Sequence, residues 1–167
     1  QIKRACPNQT TDVLAEPGET TQWMLDHLRK KLGIRQYDEV FVWGGINDIF
    51  MGISAKTAIK HIQSMVDLVS EKGGRPYVII GYDSEKFMAL NKLQTSTDYP
   101  TKAALLKVKR KYIQYQSELE SKIVRARLVH KFDLSPKYTA DGIHPGPVGH
   151  KIIKNILMDD EKLFCLN

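Results

Sequence analysis

The segment Val40-Phe41-Val42-Trp43-Gly44-Gly45-Ile46-Asn47-Asp48 joins a continuous apolar run to a glycine turn that ends in an amide and a carboxylate. Apolar residues without polar alternation predict a strand covered on both faces, the habit of parallel sheets. Tyr37 to Trp43 is therefore read as a buried strand. Upstream, Thr20 or Thr21 can cap a helix carrying Trp23, Met24, His27, Leu28 and Leu32 at helical spacing, ending at Gly33. Before it, Asp12 to Ala15 is a short run that stops at Pro17-Gly18, as a strand end would.

Downstream, Ser54 opens a second helix with Ile59, Ile62, Met65, Val66 and Val69 on one face, closed by Gly73-Gly74. Pro76 to Gly81 reads as another buried strand. Tyr82 to Pro100 is a polar connection of a length that often carries function. Thr101 to about Val124 reads as a long basic helix with Leu105, Val108, Tyr112, Tyr115 and Leu119 as its apolar stripe. Ala126 to His130 is a short last strand, and Pro147 to Met158 a final helix. This alternation calls for an α/β fold, a parallel sheet with helices on both faces, in one domain over residues 1–167. Such sheets bind ligands beyond the carboxyl ends of their strands. Gly18, Asn47 and the loop after Gly81 are expected just past strand ends, with the turn at Asp141 after the last strand.

Composition sets outer bounds. With 167 residues, 42% hydrophobic and 26% charged, the chain has the make-up of a globular domain. It has no apolar run of the roughly 20 residues needed to cross a bilayer, and its start lacks a signal-peptide pattern. It begins with Gln1, so processing, trimming or a missing upstream piece is expected. Cys6 and Cys165 could pair only if the termini meet; two thiols are the simpler expectation. The net charge of +6 concentrates between Lys102 and Lys137, where ten Lys/Arg face three Asp/Glu. A solvated helix face accounts for this. A surface for anionic partners, nucleic acid included, is the alternative, with Lys107, Lys109, Arg110 and Lys111 as its residues.

The chemistry gathers at Asp141-Gly142-Ile143-His144-Pro145-Gly146-Pro147. An Asp within reach of a His ring fixes its tautomer and stabilises the imidazolium, as a general base for acyl transfer requires. The Asn47 amide, on its glycine turn, is the kind of donor that lines an oxyanion hole. A metal site from Asp141, His144 and His150 lacks further ligands, so neither metal nor cofactor is expected. His150, on the last helix, is read as structural.

These residues resemble the SGNH (GDSL-type) hydrolase superfamily, which orders four motifs: a Gly-Asp-Ser turn, a lone Gly, a G-x-N-D turn and a D-x-x-H turn. Gly45-Ile46-Asn47-Asp48 is similar to the third motif, Asp141-Gly142-Ile143-His144 to the fourth and Gly18 to the second. The resemblance spans essentially the whole chain. It implies a flavodoxin-like three-layer α/β/α fold and a serine esterase acting through an acyl-enzyme. It makes His144 the base, Asp141 its orienting partner, and Gly18 with Asn47 the oxyanion hole. Gly45 is then expected to keep the backbone clear of substrate, and Asp48 to brace the loop.

The Gly-Asp-Ser motif is missing. Ser84, after the strand ending at Gly81, is rejected as a substitute because its strand stands too late in the family order. Thr10 and Thr11 lie too close to Gly18 to supply a strand, turn and helix. Expected instead is a complementing upstream segment or second chain that carries the serine and the first central strand. The alternative is that residues 1–11 rebuild the sheet and leave an inactive binding or structural protein. The substrate is an ester, with the basic helix favouring one that carries negative charge.

Overall fold

The computed structural model describes residues 10–83, 102–129, 138 and 144–159. Among them a parallel sheet of order β1-β2-β3 forms from β1 (Glu39–Val42), β2 (Arg75–Ile79) and β3 (Arg127–Val129). The register pairs Glu39 with Arg75 and Val42 with Val78, then Tyr77 with Arg127 and Ile79 with Val129. The helices are α1 (Thr21–Ile34), α2 (Ile46–Phe50), α3 (Ala55–Glu71), α4 (Lys102–Lys122) and α5 (Pro147–Asp159). Helices α3 and α4 carry the two parallel crossovers, and α3 lies between α1 and α4, in contact with both. This is the α/β architecture that the alternation of elements predicts, with fewer strands.

Local chemistry explains the boundaries. The Thr20 hydroxyl accepts from the Trp23 N–H at the start of α1, and Ser54 accepts from Thr57 N–H at the start of α3. Each satisfies a donor that the first helical turn cannot pair internally. The stripe of α3 buries Ile59, Ile62, Met65, Val66 and Val69, while α4 contributes Leu105, Val108, Tyr112, Tyr115 and Leu119. These side chains meet Val42, Val78 and Ile79 in one core. Burying each large aliphatic among them contributes about 1.5–3 kcal/mol relative to exposure.

Two strand expectations are corrected. Asp12 to Ala15 forms no strand, so Gly18 follows an irregular segment. That segment is tied to the entrance of β1 by side chains instead: the Tyr37 hydroxyl donates to Asp12 Oδ2 at 2.7 Å, and Arg35 donates to Thr10 at 3.0 Å. Second, β1 is shorter than Tyr37 to Trp43 and only half-buried; Val42 alone of its four residues is fully covered. The two are connected. Among the described residues β1 has one strand neighbour, β2, and the segment from Asp12 to Ala15 does not add a second, so the cover that a central strand receives from neighbours on both sides is reduced.

The last strand is Arg127–Val129, with Ala126 before it in a bend, and His130 lies outside the described residues. Cys6, Cys165, Ser84 and Asp141 also fall outside them. No helix among the described residues is long and apolar enough to cross a membrane.

Candidate active site

The glycine turn after β1 is built around a positive φ. Gly45 sits at φ +98° and starts α2, a single helical turn that holds Asn47 and Asp48. A Cβ at Gly45 would overlap the hydroxyl of Tyr115, which donates to the Gly44 carbonyl at 2.9 Å. Burial raises the Tyr115 phenol well above its ordinary range and keeps it a neutral donor. A close approach that demands glycine here is that of α4, through Tyr115.

Asn47 lies in α2 rather than in a left-handed turn position, that conformation falling to Gly45. Its Nδ2 donates to the Glu19 carbonyl at 2.9 Å, one residue past Gly18. An amide nitrogen carries two hydrogens, so this bond anchors the group while a second N–H remains part of its donor capacity. Gly18 stands at φ +80° with open space where a Cβ would be. The glycine at 18 and the amide at 47 are therefore brought to one place although 29 residues apart in sequence (47 − 18).

Asp48 is the clamp between these two segments. It is completely buried; Oδ2 accepts from the Thr21 backbone N–H at 2.9 Å and Oδ1 from the Thr21 hydroxyl at 2.6 Å. His61 Nδ1, from α3, lies 3.0 Å from the same hydroxyl oxygen. Because that hydroxyl gives its proton to Asp48, the ring nitrogen is its donor, which assigns the His61 tautomer by network logic. A carboxylate at the first turn of α1 also sits at the favourable end of the helix dipole. The sequence marks Asp48 as a brace; its partners Thr21 and His61 carry no motif and are found only through the fold.

His144 is exposed, three residues before α5. The Gly146 N–H donates to the Tyr138 carbonyl at 2.8 Å, and the His150 N–H closes the first turn on Gly146. His150 is exposed on α5. The basic residues Lys107, Arg110 and Lys111 face solvent on α4, whereas Lys109 is half-buried.

The chain belongs to the GDSL-like lipase/acylhydrolase family, whose model matches residues 1–152. That places it in a hydrolase family of esterase type. Among solved structures, a member of the lipolytic G-D-S-L family from Veillonella parvula DSM 2008 is 16% identical, with a TM-score of 0.62 over 95% of this chain and 83% of that one. An acetylxylan esterase from Geobacillus stearothermophilus is 15% identical, with a TM-score of 0.58 over 95% and 76%. A psychrotrophic esterase from Pseudoalteromonas sp., inhibited by monoethylphosphonate, is 17% identical, with a TM-score of 0.56 over 87% and 72%. No curated protein is similar enough to count as a match.

Proposed function

We propose that the chain is the greater part of a serine ester hydrolase that works through an acyl-enzyme. A serine hydroxyl attacks the ester carbonyl while His144 takes its proton, with Asp141 orienting the ring. The charge that develops on the carbonyl oxygen meets the Gly18 backbone N–H and the Asn47 amide. The tetrahedral intermediate collapses, and the alcohol leaves with the proton held by His144. Water then attacks the acyl-serine by the same route, releasing the acid and restoring the hydroxyl.

The observation that carries this reading is the junction of the Gly18 loop with the Asn47 turn, held by the Asn47–Glu19 bond and by Asp48 on Thr21. Two donors of an oxyanion hole must be fixed in place before reaction, because preorganisation is what makes them effective, and these bonds fix the two segments that would carry them. For the nucleophile, the sequence holds no Gly-Asp-Ser, so the serine of this mechanism stands on a segment outside the motifs the sequence carries. That serine belongs to an upstream segment or to a second polypeptide.

The test uses the chain together with the polypeptide encoded upstream of Gln1. Incubation with a fluorophosphonate, chosen because the Pseudoalteromonas esterase is inhibited by a phosphonate, is expected to place one adduct on an upstream serine. Mass spectrometry locates it. If the complete preparation neither labels nor hydrolyses p-nitrophenyl acetate, the protein is a binding or structural member of the family.

A further inference from the structure

Helix α3 buries an aliphatic stripe, and one polar ring stands beside it. His61 follows Ala58 by three residues and precedes Met65 by four, so it shares a face with two fully buried side chains. The ring is half-buried, and its Nδ1 lies 3.0 Å from the Thr21 hydroxyl oxygen in the first turn of α1. A leucine in such a place would bury more apolar surface. The imidazole supplies a hydrogen bond instead.

That bond has one workable polarity. Thr21 gives its hydroxyl proton to Asp48 Oδ1 at 2.6 Å, and Asp48 Oδ2 accepts the Thr21 backbone N–H at 2.9 Å. His61 then offers Nδ1–H to a lone pair of the hydroxyl. With the proton on Nε2 instead, Nδ1 becomes an acceptor that competes with Asp48 for the single hydroxyl proton. Thr21 and Asp48 are both completely buried, so a carboxylate oxygen that loses this donor has no water to replace it. A hydroxyl that accepts from one group while it donates to another is polarised and donates more strongly. The chain His61–Thr21–Asp48 thus runs from α3 through α1 to α2 and spans 40 and then 27 positions of sequence. Asn47 precedes Asp48 in α2, and its amide donates to Glu19, two residues before Thr21. Both connections tie the same two segments.

We infer that His61 is a positioning residue for ester hydrolysis: through the Thr21 hydroxyl it seats Asp48 and so holds the Asn47 amide where the oxyanion forms. This rests on the esterase reading and adds to it a control on the oxyanion hole from outside the four motifs. His61 acts only through Thr21, so substrate binding in the ground state is left alone and the effect falls on kcat. Loosening the turn costs less than deleting an oxyanion donor, which removes about 10²- to 10³-fold from kcat.

Two measurements on the complete, serine-bearing protein test this. His61→Leu keeps the bulk and loses the donor; it is expected to lower kcat for p-nitrophenyl acetate by roughly 5- to 20-fold, with KM within about twofold of the parent. His61→Asn puts an amide N–H in the place of Nδ1 and is expected to recover most of kcat. His61→Gln, whose amide stands in the place of Nε2, is not. A structural role alone would make kcat follow the melting temperature, without this split between the two amides. The second readout needs no turnover. The chain has five histidines, so selective nitrogen-15 labelling, with the His61 signal assigned by its loss in His61→Asn, is expected to show a ring protonated on Nδ1. The Asn47 side-chain amide signals are expected to shift in His61→Leu and to return in His61→Asn. A parent-like kcat in His61→Leu, an equal loss in His61→Asn, unmoved Asn47 signals, or a ring protonated on Nε2 alone overturns the inference. A parent protein without turnover, in which the Asn47 signals still respond to His61, sinks the esterase reading and leaves His61 as the residue that sets the turn.

Discussion

His144→Ala is expected to lower kcat/KM for p-nitrophenyl acetate by about 10⁴-fold or more, in protein that carries its serine-bearing segment. Without the imidazole, nothing removes the serine proton as the hydroxyl attacks, and only binding and the oxyanion donors remain. The fold is a poor explanation for such a loss, because His144 is exposed and surface replacements typically stay within about 0.5 kcal/mol. Circular dichroism and the urea midpoint should therefore match the parent. The rate of fluorophosphonate labelling should fall with kcat/KM, since both need the same proton transfer. Added imidazole should restore part of the activity, an effect a structural histidine would not produce. Should His144→Ala keep a tenth of the parent rate, the base lies elsewhere and the D-x-x-H resemblance misleads.

Much of the fold was legible because its signals are local. Ser54 and Thr20 announce their helices through hydroxyls that serve the backbone a turn away. The stripe from Leu105 to Leu119 fixes which face of α4 turns inward, since side chains three and four apart share a face. What escaped the sequence depends on distance or on length. Helix α2 is five residues long, too short for periodicity to register. The buried Gln116 looks like a solvated helix residue until the carbonyls of Ile80 and Tyr82, more than 30 positions away, supply its partners. The run from Val40 to Trp43 reads as buried on both faces, and its composition suits a central strand. Its exposure follows from which strands stand beside it, a property no stretch of β1 encodes.

The site shows the same division. Gly18, Asn47 and Asp48 are readable as types, since a glycine, an amide and a carboxylate have few tasks in such turns. The bond from Asn47 to Glu19 and the seat of Asp48 on Thr21 are products of the fold. His61 carries no mark in sequence at all. It enters because α3 lies against α1 and brings its ring to the Thr21 hydroxyl.

Asp48→Ala should be the most destabilising single change in this region, at about 4 kcal/mol. It removes both acceptors of Thr21 at once, and each buried donor left without a partner costs about 1–3 kcal/mol. Thr21 is itself fully buried, so water cannot replace the carboxylate without opening the core. The check is a urea titration, in which the midpoint falls while the slope holds. For a domain of this size the same loss lowers the melting temperature by roughly 10 °C. Asp48→Asn should cost less than half as much, because the amide oxygen still serves the Thr21 N–H, while the Thr21 hydroxyl accepts from the new NH2 and gives its proton to His61 Nδ1 in the other tautomer. Thr21→Val in the Asp48→Ala background removes the orphaned hydroxyl and should recover part of the loss, giving a coupling energy by double-mutant cycle. The clamp also joins the Gly18 loop to the Asn47 turn. Asp48→Ala should therefore slow ester hydrolysis at temperatures where the variant is still folded, through kcat more than KM. A variant that loses less than 1 kcal/mol would show that the two segments are held together by packing and that the carboxylate is incidental to them.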